Sequence, residues 1–226
     1  MDNCMPQKID ILITGVGGQG VVLASDILGD AGVAEGYDVK KSDTLGMAQR
    51  GGSVVAHIRM GSSVASPLIT KGETDLLLSL EKLETVRWAD YLRTGAAVVY
   101  NDQAIPPLSV SRGEAVYPGD SQVALTVASC TNDFFAISGE FIAAGLGNLK
   151  VLNTIMLGAL SMFLPFSPDT WNRVISNRVP GKAVDINLEA FRAGRKDVQR
   201  QLAEAARQAE LDGIEEMHKH GDSCGC

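Results

Sequence analysis

The sequence predicts an α/β protein: a three-layer domain on a mostly parallel sheet, followed by a long C-terminal amphipathic helix. Three observations carry that expectation. Residues Ile9–Gly20, IDILITGVGGQG, are a short apolar run that ends in a cluster of four glycines. Directly afterwards Ala24, Ile27, Leu28, Ala31 and Ala34 recur at helical spacing. Further on, Asp75–Tyr100 reads again as strand, helix, strand, the order of a sheet covered by helices on its faces.

An apolar run this short, rich in Ile and Leu, suits a central strand buried on both sides. Val21–Glu35 then form a helix against it, so the glycines occupy a strand-to-helix turn. Gly15, Gly17 and Gly20 fit G-x-G-x-x-G, with Gly18 and Gln19 inside the turn. Without side chains there, backbone N–H groups approach an anion at the positive end of the helix. A tight turn that binds nothing fits the same pattern. Tyr37–Ser42 reads as a second strand, reached by a right-handed crossover, and the unit is Rossmann-like. Asp43 falls where an acid holds a ribose hydroxyl in dinucleotide-binding folds. To this point the residues allow a free-standing oxidoreductase that binds NAD(P) or FAD.

Residues Thr44–Ser53, TLGMAQRGGS, form a polar loop leading into an alternating strand, Val54–Met60. Gln49, Arg50, Gly51, Gly52 and Ser53 offer a guanidinium fork beside bare backbone, a combination suited to phosphate or carboxylate. A hairpin-like turn with a solvated arginine is the alternative. His57, between Ala56 and Ile58, has no acid or cysteine at metal spacing and reads as structural.

Asp75–Leu80 reads as a buried strand, Glu81–Leu92 as a helix with Glu81 and Glu84 on a solvated face, and Ala96–Tyr100 as a strand. Pro106–Gly119 is irregular, and Thr131–Gly145 reads as a helix with Cys130 just before it as a small core residue. In the next helix, Leu149–Phe163, the Asn153 amide needs a partner, since leaving it bare costs about 1–3 kcal/mol. A short helix runs from Pro168 to about Arg178. From Val184 the positions Leu188, Phe191, Val198, Leu202, Ala205 and Ala209 make an amphipathic helix of about 25 residues, broken in pattern only at Arg195.

Composition narrows the function. A chain of 226 residues with 45% hydrophobic content builds one sizeable core. Its formal charge of -7 argues against a nucleic-acid partner. The N-terminus lacks the cationic and apolar regions of a signal peptide. The longest apolar stretch, Val151–Phe166, falls short of the ~20 residues that span a bilayer. The expectation is a cytoplasmic protein with no membrane partner. Cys4, Cys130, Cys224 and Cys226 form neither a disulfide framework nor a C-x-x-C-x-x-C run.

Two ordered motifs, GVGGQGVVLASDIL (Gly15–Leu28) and GMAQRGGSVVAHIR (Gly46–Arg59), resemble the gamma subunit or domain of the 2-oxoacid:ferredoxin oxidoreductases, and within them the small beta subunit of the indolepyruvate type. The likeness continues through Asp75–Asp102, Gly147–Leu160 and Asn187–Gly194. One position departs: Asp43, Thr44 and Leu45 stand where related sequences commonly carry an acid, a variable residue and a histidine. The departure leaves open which 2-oxoacid is used, whether aryl pyruvate, pyruvate, 2-oxoglutarate or a branched-chain acid.

The resemblance implies a division of labour. Such enzymes decarboxylate a 2-oxoacid on thiamine diphosphate with Mg, pass electrons through [4Fe–4S] clusters to ferredoxin, and release an acyl-CoA. In the indolepyruvate type those groups belong to the large alpha subunit. This chain would then carry no catalytic residue. Gly15, Gly17, Gly18, Gln19 and Gly20 would present N–H groups, and Gln49, Arg50, Gly51, Gly52 and Ser53 would face the partner or the CoA phosphates. The expected organisation is a domain over 1–183, a helical arm over 184–217 and a disordered tail over 218–226. In that tail His218, His220, Cys224 and Cys226 are four soft ligands; a polar end that binds nothing is the favoured reading.

Overall fold

The computed structural model describes residues 8–45 and 52–221, with the side chains of 45 and 213–221 outside the description. In chain order the elements are β1 (Lys8–Val16), α1 (Val21–Ala34), β2 (Asp38–Leu45), β3 (Ser53–Gly61), β4 (Thr74–Ser79), α2 (Lys82–Arg87), β5 (Leu92–Asn101), α3 (Leu108–Ser111), α4 (Asp120–Ala128), β6 (Asp133–Ile137), α5 (Gly139–Gly145), α6 (Leu152–Leu160), α7 (Pro168–Arg178) and α8 (Val184–Gly221). One six-stranded sheet runs β2-β3-β1-β4-β5-β6. β1, β4, β5 and β6 are parallel, whereas β3 lies antiparallel between β1 and β2. The mostly parallel α/β sheet is thus as expected.

β1 is the central strand, and its Ile11, Leu12 and Ile13 are fully buried. Alternate side chains feed two cores. Ile11, Ile13, Leu78 and Val99 pack in the core that includes residues of α1, α6, α7 and α8. Leu12, Leu77 and Val98 face the other way, toward Val123 and Val127 of α4 with Trp88 and Tyr91.

Four local readings change. The strand after α1 does not flank β1; β3 takes that place, because the chain after β2 turns back and pairs Val16↔Ser53 through Lys8↔Gly61. β3 alternates in sequence yet is buried on both faces, since its polar positions have dedicated partners. His57 Nδ1 accepts the Ile69 N–H at 3.2 Å, and the Arg59 guanidinium grips fully buried Asp10 at 3.0 and 2.9 Å, with Lys8 at 2.8 Å. Thr131–Gly145 is not one helix. Asp133–Ile137 extends the sheet along β5, from Ala97↔Asp133 to Asn101↔Ile137, and only Gly139–Gly145 is helical. Cys130 therefore precedes a strand, partly buried against the second core. Helix α4, with only Val123 and Val127 buried, shows too narrow a stripe to read from sequence. Finally α2 is one short helix, and after a 3₁₀ turn at Ala89–Tyr91 the sheet resumes at Leu92, ahead of Ala96.

The C-terminal helix is longer than its apolar stripe implies, running 38 residues to Gly221. Its first half belongs to the core: Ala190, Phe191 and Val198 are buried, and Trp171 stacks on Phe191 at 5.2 Å between ring centroids. Arg195, the break in the pattern, donates to Ser161 Oγ at 2.7 Å at the end of α6. Residues 202–212 are exposed. Two glycines permit the α6–α8 crossing. A Cβ on Gly158 would stand 2.1 Å from the Phe191 carbonyl oxygen, and one on Gly194 would stand 1.8 Å from that of Ile155. Both obstacles are backbone, which cannot swing aside. Gly194→Ala is therefore expected to lower unfolding stability by about 3 kcal/mol, read as a fall in the urea midpoint; an unchanged midpoint would show that the helices tolerate separation.

Candidate functional site

The carboxyl ends of the parallel strands converge on one edge of the domain, where β1, between an antiparallel and a parallel neighbour, marks a switch in connection direction. Such edges are where open α/β sheets bind ligands. The glycine turn between β1 and α1 lies there. Gly18 and Gly20 have φ of 105° and 87°, the left-handed region where a side chain is strained. Gly15 is buried, and a Cβ on it would meet Val21 at 2.9 Å. The Gly17 N–H donates to the Gly52 carbonyl at 2.8 Å, so the flank of the second glycine motif touches the first.

Three carboxamides tie this edge together. Gln19 Oε1 accepts the Val16 N–H at 2.7 Å, and its Nε2 donates to the Leu80 carbonyl at 2.8 Å and to Gln103 Oε1 at 3.1 Å. Asn101, buried at the end of β5, also donates to Leu80 and Gln103, each at 3.2 Å, and accepts the Gly139 N–H at 3.0 Å. Gln103 donates to the Glu140 carboxylate. One network thus reaches the ends of β1, β4 and β5 and the start of α5. The Gln19 side chain is consumed internally, and its backbone N–H donates to the Val16 carbonyl at 3.1 Å. Asn101 and Gln103 carried no sequence signal beyond strand-ending polarity.

Glu81 and Glu84 are not on a solvated face: they are 1% and 3% exposed. α2 is only six residues long, and its N-terminal end is pressed into the domain. The Glu81 carboxylate accepts the Glu84 N–H at 3.0 Å, the Ile105 N–H at 2.9 Å and the Tyr117 hydroxyl. Burial, then the carboxylate beside it, raises the Tyr117 phenol pKa. Glu84 accepts the Ser53 hydroxyl at 2.5 Å and pairs with Arg87 at 3.3 Å. Ser53 is therefore committed to a buried acid.

A cleft of about 370 Å³ opens beside the glycine turn, lined by Gly18, Gly20, Leu23, Lys150 and Asn153 among others. Of the first motif, Gly18, Gln19 and Gly20 line it; of the second, Gly52 and Ser53 lie at the neighbouring strand tip, whereas Gln49, Arg50 and Gly51 are outside the described residues. Asp43, placed by its sequence position where an acid could hold a ribose hydroxyl, is engaged within the domain. It sits on edge strand β2, bound by Lys41 at 2.8 Å and Ser25 Oγ at 3.2 Å. Burial lowers the His57 pKa, and the ring stands edge-on to Trp88 and Tyr91. Among the described residues no group of three or more His, Cys, Asp or Glu is placed to hold a metal ion. Cys224 and Cys226 lie outside them, as do the side chains of His218 and His220.

Burial raises the Glu84 pKa above its ordinary value of 4.5. A raised carboxylate pKa means the native state keeps a proton that the unfolded chain releases. That contribution is full below about 4.5 and is lost as pH rises through the folded value. Glu84→Gln is expected to flatten the pH dependence of the urea midpoint across this window; parallel profiles for wild type and variant would contradict it.

Comparison with known proteins places this edge in context. The model of the pyruvate ferredoxin/flavodoxin oxidoreductase family matches residues 10–196. Indolepyruvate oxidoreductase subunit IorB of Pyrococcus horikoshii is 38% identical over 87% of this chain and 98% of its own length. A 2-oxoglutarate synthase subunit KorC of Archaeoglobus fulgidus is 28% identical over 84% of this chain and 88% of its own length. Among solved structures, the keto/oxoacid ferredoxin oxidoreductase gamma subunit of Geobacter sulfurreducens superposes with a TM-score of 0.63 at 22% identity, covering 85% of this chain and 99% of that one. The 2-oxoglutarate:ferredoxin oxidoreductase of Magnetococcus marinus, solved with 2-oxoglutarate, coenzyme A and succinyl-CoA bound, matches with a TM-score of 0.66 at 21% identity, covering 86% of this chain and 32% of that one. Matched along most of its length, the chain belongs to the pyruvate ferredoxin/flavodoxin oxidoreductase family.

Proposed function

We propose that this chain is the small, non-catalytic subunit of a cytoplasmic, CoA-dependent indolepyruvate:ferredoxin oxidoreductase. The observation that carries the reading is the 38% identity to an indolepyruvate oxidoreductase subunit across 98% of that subunit's length. The substrate is an aryl pyruvate, the product an acyl-CoA, and the electrons pass to ferredoxin.

The donor set of the described residues does not suit the redox groups of the reaction. A [4Fe–4S] cluster takes four thiolates, and Cys130 is the single thiol among the described residues. Nor does the described edge assemble a nucleophile with a free base: the Ser53 hydroxyl donates a hydrogen bond to the buried Glu84 carboxylate, which is itself tied to Arg87, and Gln19, Asn101 and Gln103 are carboxamides engaged with one another. Thiamine diphosphate, Mg and the clusters are assigned to a large alpha subunit, where they supply decarboxylation and electron transfer. This chain shapes the rim over that chemistry. Gly18 and Gly20 offer backbone, while Gln49, Arg50 and Gly51, beside Gly52 and Ser53, face the partner or the CoA phosphates. Bound groups of this kind carry the reaction while protein groups orient it.

Co-expression with the large subunit, followed by an assay of a panel of 2-oxoacids with CoA and ferredoxin, tests the reading. Turnover is expected with indolepyruvate in the complex and with none of the acids for the small chain alone. Preference for pyruvate, 2-oxoglutarate or a branched-chain acid would overturn the substrate, and turnover or tight NAD(P) or FAD binding by the isolated chain would overturn the subunit role. In the assembled enzyme Arg50→Ala is expected to raise the KM for CoA roughly tenfold, the loss of one charge-assisted contact; an unchanged KM would make the second motif a scaffold.

A further inference from the structure

Residues 103–119 join the carboxyl end of β5 to α4. None of them is buried, the short helix α3 inside the segment included. Leu108 is 62% exposed and Val116 93%. A connection this long with no core of its own is uncommon in a packed domain and is usually functional. The segment is nonetheless bonded within itself, since the N–H groups of Val110, Ser111, Arg112, Gly113 and Glu114 all find carbonyls inside it. It forms a strap, and what holds it lies at its two ends.

Both ends are gripped by the start of α2. One oxygen of Glu81, Oε1, accepts the Ile105 N–H at 2.9 Å and also the Tyr117 hydroxyl. That hydroxyl in turn accepts the Leu83 N–H at 3.2 Å. Lys82 repeats the pattern one step further out. Its Nζ bridges Asp102 at 2.5 Å and Asp120 at 2.6 Å, and its N–H donates to the Gln103 carbonyl at 3.0 Å. The same helical turn has a second hold. Glu81 Oε2 accepts the Glu84 N–H at 3.0 Å, and Glu84 accepts the Ser53 hydroxyl at the tip of β3 at 2.5 Å. Next to Ser53 stands Gly52, whose carbonyl accepts the Gly17 N–H at 2.8 Å. Two buried carboxylates on one helical turn therefore join the strap to the glycine turn.

A buried carboxylate that loses a donor is costly to keep where it stands. Glu81 pairs with no cation among the described residues, so without the two donors of the strap it must turn toward solvent. The bond to the Glu84 N–H, which caps α2, goes with it. We propose that the start of α2 is a coupling element that holds strap 103–119 and the tip of β3 as one cooperative unit, so that lifting the strap loosens the Gly17–Gly52 contact. The strap is then a conformational device: its exposed Leu108 and Val116 are where it is displaced, and the glycine turn is what responds. Its natural trigger, contact of the strap with a large subunit, rests on the subunit reading; the coupling itself is a property of this chain alone.

Residue-resolved amide hydrogen exchange of the purified full-length chain tests it. Tyr117→Phe keeps the ring and removes only the hydroxyl. It is expected to speed exchange about tenfold at Ile105 and across Val110–Glu114, and about threefold at Glu84 and Gly17. Ser53→Ala, at the other end of the path, should in turn speed exchange at Ile105 about threefold. Lys8–Asp10, at the amino end of β1, should keep their wild-type rates in both variants. Should Tyr117→Phe fail to fold, Lys82→Ala takes its place: it removes the outer pair of contacts, to the exposed partners Asp102 and Asp120, and leaves Glu81 in position. That variant is expected to speed Ile105 and Gly17 together, each about twofold. Faster exchange confined to the strap, with Gly17 at its wild-type rate, would overturn the coupling, as would a Ser53→Ala chain in which Ile105 is unmoved. The two readings fail separately. Effects confined to one segment of the isolated chain remove the coupling whatever the complex turns over, and a complex that turns over none of the 2-oxoacids removes the subunit reading alone.

Discussion

The structure depends on the Leu80 carbonyl at the end of β4. It accepts from both Gln19 and Asn101, and those two amides share Gln103 as a further acceptor. Strand ends are ordinarily where sheets fray, because the last carbonyls have no neighbour to bond. Here side-chain amides from the glycine turn and from β5 close that edge. The glycine turn is therefore held by hydrogen bonds as well as by its own geometry, and its remaining donors stand in fixed positions. Buried amide networks of this sort stabilise only when every member is satisfied.

A second constraint is electrostatic. A chain of formal charge -7 keeps several carboxylates inside. Asp10 has no exposure and is matched by Arg59 and Lys8 at the amino end of β1. Glu81, at the opposite end of the sheet, pairs with no cation among the described residues and is satisfied by two backbone N–H groups and the Tyr117 hydroxyl. The contrast follows from position. Asp10 lies in paired strands with a cross-strand arginine opposite, whereas Glu81 caps a helix start whose N–H groups already favour a negative charge. Removing one partner from either arrangement leaves a buried charge exposed to no solvent, which costs far more than the interaction contributes.

Much of this was legible in the sequence. Continuous apolar runs located β1, β4 and the second half of β5; helical spacing located α1, α6 and the start of α8, and the flanking prolines located α7. The two glycine motifs were readable as partners because only short glycine-rich turns fit adjacent strand tips, and the Gly17–Gly52 contact joins them. The misreadings have physical causes. Asp133–Ile137 is a five-residue strand made by pairing with β5, and no local pattern separates it from a helix start. Glu81 and Glu84 look solvated because one helical turn separates them; tertiary partners on Ser53, Ile105 and Tyr117 reverse that. The place of β3 beside β1 is a matter of register between distant segments, which periodicity does not encode. Gln103 was invisible as a site residue for the same reason: it acquires meaning only from the chain ends brought next to it.

The account holds that this chain is a preorganised rim, built at the carboxyl ends of β1, β4 and β5, over which a partner's chemistry takes place. Amide hydrogen exchange of the chain alone, against the chain in complex with its large subunit and CoA, measures that directly. Protection should rise at Gly18–Leu23, Asn101–Ile105 and Lys150–Asn153 on assembly and CoA addition, while the amino ends of the same strands, at Lys8–Asp10 and Thr74–Asp75, stay as they were. Protection that appears at those amino ends and leaves the glycine turn unchanged would contradict the account.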